Sequence, residues 1–187
     1  MNLIHSWICS SEGWKRKVAD QVVPWTLEGL ELRGKILEIG PGYGATTEVL
    51  RTRVEQLVCV EVNPRLAQKL RLRTVEQNVI VLCQDATCMP LPDAMFDGAV
   101  CFTMLHHVPS PALQDKLLAE VARLLRPGAI FAGRDSLTSL RMRLLHLFDT
   151  LTPVDPSQLG GRLKAAGFAD AQVDVAEGAF RFRARKP

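Results

Sequence analysis

No apolar run in the sequence approaches the roughly 20 residues that a helix needs to cross a bilayer, which excludes an integral helical span. Residues 1–11 lack a basic start followed by a long apolar stretch, so no secretory signal is expected and the cytoplasm is the expected compartment. The five cysteines, Cys9, Cys59, Cys83, Cys88 and Cys101, are odd in number and scattered. That argues against a disulfide framework and for reduced thiols. Cys83 and Cys88 have neither a second pair nor neighbouring histidines to complete a tetrahedral set, so no metal is expected. A net charge of +3 is too small to imply a nucleic-acid partner. No internal repeat or low-complexity tract interrupts the chain.

What the chain does contain is ordinary material for one α/β domain. Its 187 residues, 47% hydrophobic and 23% charged, suit a single domain over residues 1–187 with a full core. The organising stretch is Ile36-Leu37-Glu38-Ile39-Gly40-Pro41-Gly42-Tyr43-Gly44. It reads as a buried strand, a glycine turn and the start of a helix over residues 45–53. Glycines lacking a Cβ let a ligand approach the backbone, and the N–H groups that open the helix face the same space.

Two more strands end in acids. Residues 56–61 finish at Glu61, and residues 78–83 are followed by Gln84-Asp85-Ala86. Strand, helix and strand at these lengths form right-handed crossovers. They bring Glu61 and Asp85 to the carboxyl edge of a parallel sheet, where such sheets bind ligands. Asp85 also has the position to cap the turn before Thr87. Between these strands, residues 64–75 read as an amphipathic helix carrying Leu66, Leu70 and Leu72.

The rest follows the same alternation. Residues 97–102 form a fourth strand ending at Phe102, and Thr103-Met104-Leu105-His106-His107-Val108 leaves it at the ligand edge. A helix over 111–125 is closed by Arg126-Pro127-Gly128, with a fifth strand over 129–133 and Arg134, Asp135 and Ser136 at its tip. Residues 137–151 place Leu137, Leu140, Leu144, Leu147, Phe148 and Leu151 on one apolar face, with Arg141 and Arg143 elsewhere. That pattern fits a helix covering the sheet or a roof over an acceptor pocket. A helix over 156–166 and two strands, 172–175 and 179–185, joined at Glu177-Gly178, complete the chain. Arg181, Arg183 and Arg185 alternate with apolar residues, which gives a solvated cationic face or an anion site. At the other end, residues 1–32 carry Trp7, Trp14, Val18, Val22 and Trp25 at helical spacing, with Pro24 breaking or redirecting the run.

The pattern Glu38-x-Gly40-x-Gly42-x-Gly44 differs from the G-x-G-x-x-G of dinucleotide folds and resembles the first motif of the class I S-adenosylmethionine-dependent methyltransferases. Leu91-Pro92-Asp93-Ala94-Met95-Phe96-Asp97, the Leu-His-His-Val run and the Leu-Leu-Arg-Pro-Gly junction resemble the same family, over roughly residues 35–135. The resemblance implies a Rossmann-like three-layer fold with a seven-stranded, mostly parallel sheet in the order 3-2-1-4-5-7-6, the last strand antiparallel. It implies S-adenosylmethionine as cofactor, with Glu38 orienting its amine, Gly40, Gly42 and Gly44 against it, Glu61 on the ribose, Asp85 and Ala86 on the adenine, and Phe102 beside it. Residues 1–32 then form an N-terminal helical cap or lid, 35–135 the cofactor-binding core, and 136–187 a lid helix, a last helix and the terminal strands.

The implied reaction is methyl transfer to a small-molecule acceptor, lipid-like or quinone-like, with His106 and His107 as candidates for a general base and Arg134 and Asp135 as acceptor contacts. Three departures narrow the class. The Asn/Asp-Pro-Pro-aromatic signature of amino-methylating nucleic-acid enzymes is missing, a Pro-Cys nucleophile is missing, and so is the metal-binding aspartate arrangement of catechol-type enzymes. The rivals are a non-catalytic domain that binds S-adenosylmethionine or a partner, and an NAD-dependent oxidoreductase. Peripheral membrane contact is compatible with residues 137–151, and oligomeric state is not written in the sequence.

Overall fold

The computed structural model describes residues 3–147 and 149–187, apart from the side chains of residues 3–5, 141 and 145. Seven strands form one sheet: β1 Lys35–Ile39, β2 Gln56–Val60, β3 Val79–Leu82, β4 Phe96–Phe102, β5 Leu125–Ser136, β6 Ala169–Ala176 and β7 Ala179–Arg185. Their order is β3-β2-β1-β4-β5-β7-β6, with β1 to β5 parallel and β7 antiparallel to both its neighbours, as the resemblance implies. The central strands are apolar without alternation because helices cover both faces. In β1 and β2 every residue after the first is buried.

The helices are started by local chemistry legible in the chain. α5 (Pro64–Arg73), α6 (Pro111–Leu124) and α8 (Pro156–Ala165) each have a proline in the first turn behind a capping side chain. Asn63 Oδ1 accepts from Arg65 N at 3.0 Å, Ser110 Oγ from Leu113 N at 3.2 Å and Asp155 Oδ1 from Ser157 N at 2.9 Å. One core layer packs Leu117, Leu118 and Val121 of α6 and Leu159 and Leu163 of α8 against Phe131, Phe180 and Phe182. The opposite layer joins α4 (Ala45–Leu50) and α5 to the N-terminal segment through Leu50, Leu70, Val18, Val22 and Val23. Because strand order reverses between β1 and β4, the loops leaving these two strands diverge to opposite faces and open a crevice.

Four details differ from the sequence reading. Arg126-Pro127-Gly128 does not separate helix from strand: β5 begins at Leu125, and the pairs Phe96↔Leu125 and Gly98↔Ile130 set two steps of β4 against five of β5, so the tripeptide is a bulge in the strand. Pro24 does not break its helix. The path runs α1 (Leu3–Ser10), α2 (Glu12–Lys17), a wide π turn over Val18–Val22, and α3 (Val23–Thr26), with Pro24 in the first turn of α3, where its missing N–H costs little. Leu72 is 70% exposed and lies off the face that buries Leu70.

The fourth difference is the largest. The helix expected over 137–151 is α7, Leu140–Leu145, and three leucines in and just after it are exposed: Leu140 at 75%, Leu144, which borders the crevice, at 57% and Leu147 at 52%. Its buried face is Met142 and His146, one turn apart, so it does not cover the sheet with a leucine stripe. Phe148 and the side chain of Arg141 lie outside the described residues. The arginines of β7 are each partnered rather than gathered into an anion site: Arg181 with Glu28, Asp174 and the Trp25 carbonyl, Arg183 with Gln172, and Arg185 with the Gly128 carbonyl.

Candidate active site

The crevice is a cavity of about 1310 Å³ above the carboxyl ends of β1, β2, β3, β4 and β5. Sites for one drug-sized ligand run to roughly 300–1,000 Å³, so this one has room for a cofactor and an acceptor together.

The glycine turn forms one wall. Gly40, Gly42 and Gly44 have φ of +63°, +55° and +74°, the left-handed region that a Cβ disfavours. Their reasons differ. A Cβ on Gly44 would lie 2.5 Å from Arg73 Nη2 and 2.6 Å from Leu70 Cδ1, so this glycine lets α5 pack. A Cβ on Gly42 would meet nothing within 4 Å, because Gly42 faces the cavity. Gly40 also lines it, and Gly44 does not.

Each predicted acid has a definite place. Glu61, 6% exposed at the tip of β2, accepts the Gly42 N–H on Oε2 at 3.0 Å and the Asn63 N–H on Oε1 at 2.9 Å, and lines the cavity. Asp85 lines it too, while one oxygen caps the turn by accepting Thr87 N–H at 2.8 Å. Ala86 and Phe102 border the same space. Glu38 does not. It is 1% exposed beneath the turn, and its oxygens receive the hydroxyls of Thr46 and Thr47 and the thiol of Cys59. Burial raises its carboxyl above the usual range, against the pull of these three donors.

The far end has different chemistry. His106 and His107 occupy the short helical turn after β4, and both line the cavity with Arg134. Thr103, which leads into that turn, holds φ +50°, an uncommon conformation for a β-branched residue. Arg134 Nη1 is buried with no hydrogen-bond partner among the described residues, and burial lowers the guanidinium pKa while Asp135 beside it raises it. Asp135 is fully buried and does not line the cavity. It grips His106 instead, accepting its backbone N–H at 3.1 Å and facing Nδ1 at 2.5 Å. A third imidazole, His146, stands over both: ring centroids are 5.0 Å from His106 and 5.1 Å from His107.

Sequence reasoning passed over His146, Met142 and Lys17, which line the cavity together with Trp14 and Val18 of the N-terminal segment. The signal for His146 was its spacing of four from Met142, hidden by the louder leucine stripe.

The donor set at the first end suits a nucleoside cofactor: two carboxylates able to accept from hydroxyl and amine groups, beside a glycine backbone with open space over Gly42. Comparison with known proteins agrees. Residues 37–133 match the methyltransferase domain family. Ubiquinone biosynthesis O-methyltransferase of Alkalilimnicola ehrlichii is 34% identical over 105 residues, covering 54% of this chain and 41% of that protein. The Azotobacter vinelandii protein of the same name is 27% identical over 171 residues, covering 81% of this chain and 72% of its own. Among solved structures, a Pyrococcus horikoshii OT3 protein superposes with a TM-score of 0.80 at 17% identity, covering 97% of each chain. A SAM dependent methyltransferase from Archaeoglobus fulgidus gives 0.73 at 18%, covering 94% of each. The family match spans half of this chain and takes in Glu38 on β1 and the turns after β2, β3 and β4 that carry Glu61, Asp85 and His106, so the chain belongs to the methyltransferase domain family and is an S-adenosylmethionine-dependent methyltransferase.

Proposed function

We propose that the chain moves the methyl group of S-adenosylmethionine to an oxygen of a small hydroxylated, quinone-like molecule. One observation carries this reading: the cavity has two chemically distinct ends, carboxylates and glycine backbone at one, imidazoles and a guanidinium whose Nη1 has no partner among the described residues at the other. Its volume exceeds what a single ligand needs. The O-methyltransferase activity in the names of the two relatives supports an oxygen acceptor and an aromatic, quinone-type ring.

When bound, the cofactor supplies a methyl carbon made electrophilic by a sulfonium. The chain's part is to hold two partners in line and keep water out, which is worth as much as about 7–11 kcal/mol in favourable cases. Glu61 accepts the ribose hydroxyls, and Asp85 and the Ala86 backbone meet the adenine. Gly40 and Gly42 let the backbone approach, and Phe102 closes the floor. Glu38 acts one step removed, fixing Thr46 and Thr47 at the head of α4. At the other end, Arg134 meets the electron-rich oxygens of the acceptor. His106 and His107 supply the basic nitrogens that make its hydroxyl a nucleophile. The N-terminal segment and α7 wall the cavity, which fits lids over the acceptor in a cytoplasmic enzyme. The outward leucines of α7 suit peripheral contact with a lipid surface that carries an apolar acceptor; co-sedimentation with anionic vesicles tests that part.

The deciding experiment pairs calorimetry with transfer of labelled methyl groups. S-adenosylmethionine binds and NAD does not, and label from the cofactor enters a hydroxylated benzoquinol. Cofactor binding without transfer to any hydroxylated aromatic would leave a non-catalytic binding domain.

A further inference from the structure

Three imidazoles converge at the acceptor end. His106 and His107 have ring centroids 4.2 Å apart, and His146 meets His106 edge-on at 5.0 Å. One ring nitrogen from each of the three lies within 4.8 Å of the other two.

Proximity alone would be consistent with packing; orientation is what distinguishes this cluster. His106 Nδ1 faces Asp135 Oδ1 at 2.5 Å, and His146 Nδ1 faces the Met142 carbonyl oxygen at 2.8 Å. A carboxylate and a carbonyl only accept, so each ring carries its proton on Nδ1 and its lone pair on Nε2. A carboxylate or backbone carbonyl behind the ring is also the arrangement that orients imidazoles on metal ions. Both rings are held by their surroundings, at 4% and 5% exposure. His107, partly buried, is the third.

We propose that His106, His107 and His146 together bind one divalent transition-metal ion of the zinc class. Nitrogens that share an ion at 2.0–2.1 Å in tetrahedral geometry are about 3.4 Å apart, so small side-chain rotations close the present spacing. Imidazole donors select zinc, cobalt or nickel over magnesium and calcium. Three protein nitrogens leave a fourth position, and since all three residues line the cavity, that position faces the acceptor. With the ion in place the ring nitrogens are ligands and no longer bases; instead, a hydroxyl bound at the fourth position loses its proton to solvent more readily. The identity of this fourth ligand rests on the proposed function; the ion site itself does not. The ion would also tie the segment after α7 to the turn after β4.

The test uses the full chain freed of metal by chelation and titrated with Co²⁺, with zinc as competitor. One equivalent of Co²⁺ binds and gives the visible d–d absorption of a nitrogen-ligated site, and zinc displaces it. His146→Ala and His146→Gln, each checked for folding by circular dichroism and for cofactor binding by calorimetry, weaken that binding at least tenfold and leave S-adenosylmethionine affinity unchanged. The double variant Cys83→Ser/Cys88→Ser, which removes the exposed thiols, binds as the parent does. Cobalt binding that survives both His146 substitutions, or that follows the thiols, overturns the proposal. Cobalt binding of the expected kind in a protein that fails to transfer methyl to hydroxylated aromatics upholds the metal site and overturns only the proposed function.

Discussion

Glu61 reaches across from the tip of β2 to take the Gly42 N–H on Oε2 at 3.0 Å, so one carboxylate both lines the cavity and fastens the glycine turn. Its other oxygen holds the Asn63 N–H, which precedes α5. Replacing Glu61 by Ala removes the ribose acceptor and frees the turn. Loss of such charge-assisted bonds is worth about 1.5–3 kcal/mol, so S-adenosylmethionine affinity falls roughly ten- to a hundredfold. Calorimetric titration checks this, and an unchanged dissociation constant rejects the assignment.

The glycines separate fold from function. Gly44→Ala drives a Cβ into Leu70 and Arg73 at positive φ, and costs about 1–3 kcal/mol of stability. Gly42→Ala meets nothing within 4 Å among the described residues, so its folding cost is limited to the backbone term of about 1 kcal/mol, and its Cβ enters the cofactor's space. Urea unfolding and cofactor titration should therefore rank the two variants in opposite order. The same ranking by both methods would mean that Gly42 does not face the cofactor.

Asp135 holds His106 at two points, the backbone N–H and Nδ1. Asp135→Asn keeps the shape but presents an amide where a carboxylate fixed the ring's tautomer. Second-sphere changes of this kind cost roughly 10- to 100-fold in activity. The expected result is a kcat lowered by that factor with cofactor affinity within twofold of the parent. A variant with full kcat would reduce Asp135 to a packing residue.

Glu38 gives a pH signature. Burial raises its carboxyl in the folded chain above the ordinary 4.5, so across the interval from that value up to the raised one the native state binds more protons than the unfolded state. Its contribution to stability is therefore fully present below the ordinary value and is lost as pH rises through the raised value. Glu38→Gln removes this contribution. The difference in unfolding free energy between variant and parent should shift in the variant's favour from pH 4 upward and then level off. Parallel curves would show that the carboxyl titrates alike in both states. Because Glu38 does not touch the cavity, the same variant should lose under about threefold in cofactor affinity, far less than Glu61→Ala.

The cofactor half of the site was legible in the sequence because strand, glycine turn and acid lie within a few residues of one another, and parallel topology brings successive strand tips to one edge. Glu61 and Asp85 stand where that logic puts them. Glu38 is adjacent in sequence yet buried beneath the turn, since its strand position points it at Thr46, Thr47 and Cys59, a contact that no spacing rule reveals. The acceptor half was legible only as a set of residue types. His106 and Arg134 are on the cavity, but the bond between Asp135 and His106 and the approach of His146 arise from loops meeting across the crevice. The leucines of α7 misled for a related reason: helical spacing marks an apolar face without saying what it faces, and here Met142 and His146 turn inward instead.

Arg134 sets stability against function. Its Nη1 is buried without a partner among the described residues, and burial pulls its pKa down, so the folded chain carries an unfavourable charge that an electron-rich acceptor would relieve. Arg134→Met keeps an unbranched, flexible stem, shortens it by the guanidinium and removes the charge. Exchanging a poorly paired buried charge for an apolar group commonly stabilises by ~1 kcal/mol or more. In a chain of this size that lifts Tm by roughly 2–4 °C. The same change should raise KM for a hydroxylated acceptor about tenfold or more, with cofactor affinity untouched. Melting curves and steady-state kinetics on one preparation test both halves. A variant that melts earlier than the parent and keeps its KM would show that the guanidinium supports the fold and does not meet the acceptor.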